Sequence, residues 1–169
     1  SVTTRLKRKN EIDGKDYFFV SENEFDQRKK QGLFLECAKV FKHSYGTPKE
    51  FVKNNISNGK DLIFDIDWQG AKQLFKSSRD YMVSIFILPP SIKELENRLF
   101  LRNLDSSDEV YSRMSLAKQE ISHYKDYDYV VINTNLENTV NQVNYILNAE
   151  RLKRSRQIGL KSFVSSFKF

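Results

Sequence analysis

Leu62-Ile63-Phe64-Asp65-Ile66-Asp67-Trp68-Gln69-Gly70 is the stretch that decides which fold class the sequence predicts. It begins as a short apolar run and closes with two carboxylates two residues apart. Side chains alternate along a strand, so Asp65 and Asp67 would lie on one face. Open α/β sheets bind ligands at the carboxyl ends of their strands, which is where this pair falls. The alternative is a surface strand with two solvated aspartates.

Length and composition fit one ordinary soluble domain. The 169 residues are 39% hydrophobic and 30% charged, and no apolar run approaches the ~20 residues of a membrane span. The net charge of +6 indicates an anionic partner: a nucleotide, a nucleic acid or a membrane surface. A single cysteine, Cys37, excludes an internal disulfide framework and fits a reducing compartment.

Two β segments should flank a basic loop at the start of the chain. The first is 1–5 and the second is 17–20, with Asp13-Gly14 as a turn before the second. The basic residues of 5–9 are either a solvated loop or a phosphate clamp, because arginine presents a planar fork to phosphate oxygens.

Capping patterns predict the next two helices. Ser21 and Glu24 form a capping box for a helix that ends near Gly32. Thr47 is predicted to be the N-cap of the following helix, with Pro48 at the first helical position. Capping alone explains the Thr47 hydroxyl.

The strand predicted between those helices, 33–40, carries a charged residue among apolar neighbours. That residue, Glu36, is either exposed at a sheet edge or held inside for a function.

The second half of the chain alternates strands with helices. We predict a fully buried strand at 81–88, a helix capped by Ser91, a further helix capped by Ser106, a strand at 128–133 and a helix at about 137–152. This order indicates a parallel α/β core. Three arginines of the helical hairpin, Arg98, Arg102 and Arg113, are either a solvated face or functional.

Several short motifs together resemble guanylate kinases, in that family's order and spacing from Ser1 to about Ile146. They are Ser1-Val2-Thr3-Thr4-Arg5 with Arg8, Glu11, Asp13-Gly14 and Asp16-Tyr17; Leu35-Glu36 with Ala38; Tyr45-Gly46-Thr47; Asp65-Ile66-Asp67 with Gln69-Gly70; Ile87 with Pro89-Pro90-Ser91; and Asp128 with Val130 and Asn133. The resemblance implies an α/β fold with a P-loop-kinase-like parallel sheet core flanked by helices, a small mixed β insert that binds GMP, and a helical lid. The corresponding regions are 1–60 for GMP binding, 61–91 and 124–150 for the core, 92–123 for the lid, and 151–169 for a basic C-terminal extension.

The implied activity is transfer of the terminal phosphoryl group of ATP to GMP with Mg²⁺, giving ADP and GDP. By resemblance, the GMP phosphate contacts are Ser1, Arg5, Arg8, Tyr17 and Tyr45. Glu36 and Thr47 correspond to the guanine readers, Glu11 and Asp67 support them, and Asp65 corresponds to the acidic position near the metal and phosphates. The lid arginines that close over ATP correspond to Arg98, Arg102 and Arg113.

One departure concerns the ATP phosphates. No G-x-x-x-x-G-K-[ST] pattern runs through the six glycines, so the chain is expected to lack about one βα unit of roughly thirty residues. It would then be a fragment, or inactive as it stands. A smaller departure is Leu101-Arg102-Asn103, where relatives often have glycines around the arginine.

Two other function classes remain open. One is a guanylate-kinase-like module that binds protein ligands without catalysis, and the other is a basic nucleic-acid-binding domain. The retained arginines and Glu36 argue against the first, and the carboxylates of the site argue against the second. The expected partners are therefore GMP and ATP, without nucleic acid or membrane, for a cytoplasmic monomer or homodimer.

Overall fold

The computed structural model describes residues 1–101 and 107–168, which separate into an N-terminal unit, Ser1–Met82, and a C-terminal unit, Val83–Phe169. The elements of the N-terminal unit are β1 (Val2–Thr3), β2 (Phe18–Phe19), α1 (Glu22–Lys30), β3 (Phe34–Val40), β4 (His43–Pro48), α2 (Lys49–Ser57) and α3 (Trp68–Ser77), with a 3-10 turn at Arg79–Tyr81.

A four-stranded mixed sheet forms the centre of the N-terminal unit, in the order β2-β1-β4-β3. β1 runs parallel to β2 and antiparallel to β4, while β3 and β4 form an antiparallel pair. Val2 of β1 and Phe34 of β3 form the buried core with Phe25 of α1, and the two phenylalanine rings stack at 4.7 Å. The small mixed β region predicted near the start of the chain is therefore present.

The start of α1 follows its capping pattern, whereas the start of α2 does not. The Ser21 side chain accepts a hydrogen bond from the Glu24 backbone N–H, which confirms that prediction. The predicted N-cap at Thr47 is wrong, because the N-cap of α2 is Pro48 and Thr47 belongs to β4. Strand pairing explains the difference, since Thr47 lies opposite Glu36 in the β3–β4 ladder.

The apolar run before the two aspartates does not form a strand with any described residue. Residues 62–67 alternate between partly buried and more exposed positions up to Asp65, with Ile63 91% exposed, and α3 begins at Trp68. A strand exists only where a neighbour shares its backbone hydrogen bonds, and residues 62–67 pair with no strand in the described part of the chain. The prediction of a central strand at 62–67 is therefore wrong, although the side chains show the alternating exposure that the prediction expected.

The C-terminal unit contains β5 (Ile85–Leu88), α4 (Ile92–Leu101), α5 (Ser107–Ser122), β6 (Tyr129–Ile132), α6 (Leu136–Leu152) and α7 (Leu160–Ser165), with 3-10 turns at His123–Asp126 and Arg154–Arg156. β5 and β6 pair in parallel, as the alternating pattern predicted. The Ser91 hydroxyl accepts from the Glu94 N–H at 3.1 Å, which confirms the predicted start of α4. The predicted cap Ser106 lies outside the described residues.

The prediction of a fully buried strand at 81–88 is wrong in extent and in burial. The strand begins only at Ile85, after the 3-10 turn, and Ile87 is 50% exposed. A single parallel pair covers little of either face, so alternate side chains stay accessible. Among the described residues no helix has the length and apolarity to cross a membrane.

Candidate functional site

A buried carboxylate is the centre of the candidate site in the N-terminal unit. Glu36 is only 4% exposed although β3 is an edge strand of the sheet, so the alternative of an exposed edge residue is wrong. Thr47, its partner across the ladder, donates from Oγ1 to Glu36 Oε1 at 2.6 Å. A carboxylate has about four lone-pair positions, so acceptor capacity remains for N–H groups of a ligand.

The first turn of α3 closes on this carboxylate. A Cβ atom on Gly70 would lie 2.5 Å from Glu36 Oε2, so glycine is what allows the approach. Asp67 is the N-cap of α3, with Oδ1 accepting from the Gly70 N–H at 3.0 Å and Oδ2 from the Gln69 side chain at 2.8 Å. The acidic motif, Asp65-Ile66-Asp67, therefore places the Asp67 carboxylate near Glu36.

The pKa of Glu36 is raised. Burial is the main cause, because it disfavours the charged form. The hydrogen bond from Thr47 opposes that effect, and the negative charge of Asp67 adds to it. A carboxylate in this state gains from a ligand that brings N–H donors.

A second group of side chains surrounds Arg5. The guanidinium makes two hydrogen bonds to the Glu11 carboxylate, at 2.7 and 3.0 Å, and Glu11 also accepts from the Arg8 backbone N–H at 2.8 Å. The hydrogen bonds from Arg5 are the largest cause of the low pKa of Glu11, which is about 2. The same hydrogen bonds raise the pKa of Arg5. The basic loop therefore holds one arginine in a fixed place.

Two tyrosines lie beside that arginine. The Arg5 guanidinium lies 5.4 Å from the centre of the Tyr17 ring, and Tyr17 meets Tyr45 edge-on at 6.2 Å. Burial is the first cause that raises the pKa of Tyr17, followed by the proximity of Tyr45 and of Asp65. Asp65 itself is exposed and is therefore accessible to a cation or a ligand.

Ser1 and Arg8 are the predicted phosphate contacts on the surface of the N-terminal unit. Both residues are exposed, and the Ser1 carbonyl accepts from the Phe18 N–H at 2.9 Å. The N-terminal unit thus brings the predicted phosphate and base contacts into two adjoining groups, one around Arg5 and one around Glu36.

The predicted lid arginines belong to the C-terminal unit. Arg98 donates to Glu94 Oε1 at 2.7 Å and to the Asn133 carbonyl at 3.0 Å, so it joins α4 to the end of β6. Arg113 lies half-buried on α5. Arg102 lies outside the described residues.

Sequence reasoning assigned no role to three neighbours of Glu36 on α3: Gln69, Gly70 and Gln73. Gln69 and Gly70 were within the quoted motif, whereas Gln73 has no motif of its own and is marked only by its i, i+4 spacing from Gln69. The described residues contain no group of three or more His, Cys, Asp or Glu side chains with the arrangement of a metal site.

Comparison with known proteins gives one consistent family. The family model described as "Guanylate kinase" matches residues 1–150. A guanylate kinase of Paramagnetospirillum magneticum is 47% identical over 168 residues, which cover 99% of this chain and 78% of that protein. A guanylate kinase of Wolbachia pipientis wMel is 48% identical over 93% of this chain and 78% of its own length.

A solved structure agrees with the sequence relatives. The crystal structure of guanylate kinase from Anaplasma phagocytophilum superposes with a TM-score of 0.85 at 40% identity, covering 98% of this chain and 81% of that chain. This likeness confirms the predicted α/β fold class.

Proposed function

The chain belongs to the guanylate kinase family, and from that membership we propose that it transfers the terminal phosphoryl group of ATP to GMP, giving ADP and GDP. The observation in the structure that best supports this proposal is the buried Glu36 carboxylate held by Thr47. The alternative of a binding module without catalysis gains no support from the relatives, which are named guanylate kinases.

Base recognition follows from the chemistry of that carboxylate. Guanine presents two adjacent N–H donors, at N1 and N2, which one carboxylate accepts together, whereas adenine has no such pair. Thr47 fixes one oxygen of Glu36, and Asp67 at the start of α3 keeps the surroundings negative. We therefore assign guanine reading to Glu36 and Thr47, with Asp67 in support.

The phosphate of GMP is assigned to the group around Arg5. Arginine offers five N–H donors in a rigid fork. Arg5 gives two of them to Glu11 and a third to the Leu6 carbonyl at 2.8 Å, which leaves at most two for phosphate oxygens. The exposed Arg8 is the second cation, and Ser1, Tyr17 and Tyr45 add hydroxyl groups. Glu11 contacts Arg5 and the Arg8 backbone, so its supporting role is on the phosphate clamp.

Magnesium is proposed to arrive with ATP. Mg²⁺ usually keeps several waters and binds one or two carboxylates together with substrate phosphates, which needs no protein cage. Both Asp67 oxygens already accept hydrogen bonds, whereas Asp65 is exposed, so Asp65 is the better fit for the metal position. When bound, the ion neutralises charge that develops on the transferring phosphoryl group.

Arg98, Arg102 and Arg113 are proposed to act on the transferring group from a lid formed by 92–123. In-line phosphoryl transfer depends mainly on positioning and charge neutralisation. In this proposal 1–60 binds GMP, 61–91 with 124–150 forms the core, and 151–169 is an extension. Hydrogen exchange tests the division: GMP should protect 1–60, and a bisubstrate analogue should protect 92–123 as well. Equal protection of both regions by GMP alone would contradict it.

The partners are proposed to be the two nucleotides, without nucleic acid or membrane. A cytoplasmic monomer or homodimer is proposed with them, since a single half-buried cysteine fits a reducing compartment.

Glu36→Gln tests the proposed function. The amide turns one acceptor into a donor that faces a guanine N–H, so GMP affinity should fall by about 1.5–3 kcal/mol, the range for hydrogen bonds to charged groups. AMP lacks the two N–H donors that Glu36 accepts, so AMP affinity should change little. The ratio of GMP affinity to AMP affinity should therefore decrease because GMP binds more weakly. Calorimetric titration of both nucleotides measures the ratio. An unchanged ratio in the folded variant would remove Glu36 from the site.

A further inference from the structure

A side-chain amide from α3 occupies the outer edge of β3, the strand that carries Glu36. The Cys37 N–H donates to Gln73 Oε1 at 3.1 Å, and Gln73 Nε2 donates back to the Cys37 carbonyl at 2.7 Å. These two bonds satisfy both backbone groups of one residue, as a neighbouring strand would. Gln73 therefore takes the place of a strand at the position next to Glu36.

The neighbouring turn of α3 extends the same contact. Gln69 Nε2 donates to the Lys39 carbonyl at 3.2 Å, two residues beyond Cys37 on the same edge. Gln73 Nε2 also donates to the Gln69 backbone carbonyl at 3.1 Å, which holds the Gln73 amide against the preceding turn of α3. Gly70 lies between them in sequence, where its missing side chain admits the Glu36 carboxylate. One face of α3 thus holds the strand and makes room for its functional side chain.

The backbone near Glu36 is irregular, so the hydrogen bonds from α3 help to fix its position. The β3–β4 register shifts between Phe34 and Glu36, so the inner edge of β3 is irregular immediately before the carboxylate. An irregular ladder turns the strand locally and re-aims the side chains near it. The amide of Gln73 fixes the residue that follows Glu36 from the opposite edge. The direction of the carboxylate is therefore set from both edges of the strand.

We propose that Gln73 is a positioning residue for base selection, which acts through Cys37 on the direction of the Glu36 carboxylate. The inference rests on the proposed reading of guanine by Glu36. Two parallel hydrogen bonds to N1–H and N2–H require both carboxylate oxygens in place, so a misdirected carboxylate weakens two contacts of GMP but only one contact of a nucleotide that lacks the 2-amino group. A purine nucleotide with N1–H but without the 2-amino group, IMP, reports on the N2–H contact by comparison with GMP.

The experiment measures equilibrium affinities of GMP and IMP for the full chain and for variants. In Gln73→Ala the GMP/IMP affinity ratio should fall by about tenfold or somewhat less, the range for one or two neutral hydrogen bonds. Lys72→Ala is the matched control, because Lys72 is an exposed residue of the same helix, and its ratio should stay unchanged. Gln73→Asn keeps the amide but shortens its reach, so it should lower the ratio as Gln73→Ala does.

A double-mutant cycle separates the inference from the function on which it rests. If Gln73 acts through Glu36, then Gln73→Ala added to Glu36→Gln should leave the GMP/IMP ratio where Glu36→Gln alone puts it. If Glu36→Gln lowers the ratio but both Gln73 variants keep it, the inference is wrong and the proposed base reading stands. If Glu36→Gln itself leaves the ratio unchanged, the base reading is wrong and the inference with it. A Gln73→Ala protein that loses thermal stability and loses GMP and IMP affinity equally would show a structural role, which also contradicts the proposal.

Discussion

Gly70 lies so close to the Glu36 carboxylate that position 70 has no room for a side chain. A Cβ atom at Gly70 would lie 2.5 Å from Glu36 Oε2 and 3.2 Å from the carboxyl carbon. Glu36 has little freedom to retreat, because it is buried and its other oxygen is bound to Thr47. The acidic motif and the buried carboxylate are thus one structural unit.

Gly70→Ala should therefore be harmful although alanine favours a helix. The helical gain is about 0.5–1 kcal/mol, whereas overpacking a filled site costs about 1–3 kcal/mol. We expect a net loss of unfolding free energy in urea together with weaker GMP binding. Lys72→Ala, an exposed substitution in the same helix, should change neither quantity. Retention of both stability and GMP affinity in Gly70→Ala would show that the carboxylate moves aside without loss.

Substitution of Arg5 or Arg8 should weaken binding of the GMP phosphate without changing binding of the base. Arg5→Ala or Arg8→Ala should weaken GMP by about 1.5–3 kcal/mol, the range for hydrogen bonds to charged groups. Guanosine has no phosphate, so both variants should bind guanosine with the same affinity as the parent protein does. Lys9→Ala, in the same exposed loop, is the control for a general loss of positive charge. If calorimetry showed an equal loss for guanosine, the arginines would have a structural role instead.

Local patterns in the sequence predicted local structure well. The boxes Ser21–Glu24 and Ser91–Glu94 were read from four residues each, and both form the expected cap. The same reasoning failed at Thr47, because a buried carboxylate from a strand eleven residues earlier took its hydroxyl. A cap competes with every other partner that the fold brings near, and only the fold shows which partner is present.

Non-local pairing explains the other differences. The run Leu62–Ile66 has the alternation of a strand, but a strand also needs a neighbour, which its own residues do not specify. Gln73 shows the same limit on a smaller scale. Its contact with the Cys37 backbone joins residues 36 positions apart, and no pattern around either residue indicates it.

In the C-terminal unit, the hydrogen bond between Tyr129 and Glu150 should stabilise the fold. Glu150 is 4% exposed, and its carboxylate accepts from the Tyr129 hydroxyl at 2.6 Å and from Lys153 at 2.6 Å. Tyr129→Phe removes one donor from a buried acceptor, so the unfolding midpoint in urea should fall. Tyr145→Phe is the matched control, because Tyr145 is 69% exposed on α6 and its midpoint should stay at the parent value. Equal midpoints for the two variants would mean that water replaces the Tyr129 hydroxyl at no cost.

The pH dependence of guanosine binding should report the ionisation of Glu36. The pKa of Glu36 is raised above 4.5, chiefly by burial, so folding favours its neutral form and the ionised form costs stability once the pH rises through that pKa. Guanosine needs the ionised form, so its affinity should increase as the pH rises through the raised pKa of Glu36, and the midpoint should lie above that of an ordinary glutamate. Guanosine is a better probe than GMP because it lacks the second phosphate ionisation, which occurs at about pH 6.

Two variants show whether Glu36 is the group that titrates. Thr47→Val removes the hydrogen bond that lowers the Glu36 pKa and keeps a β-branched side chain in β4, so the midpoint should move upward. Glu36→Gln should bind guanosine weakly with little dependence on pH. A Glu36→Gln profile with the parent's midpoint would assign the titration to another group and overturn the proposed base contact.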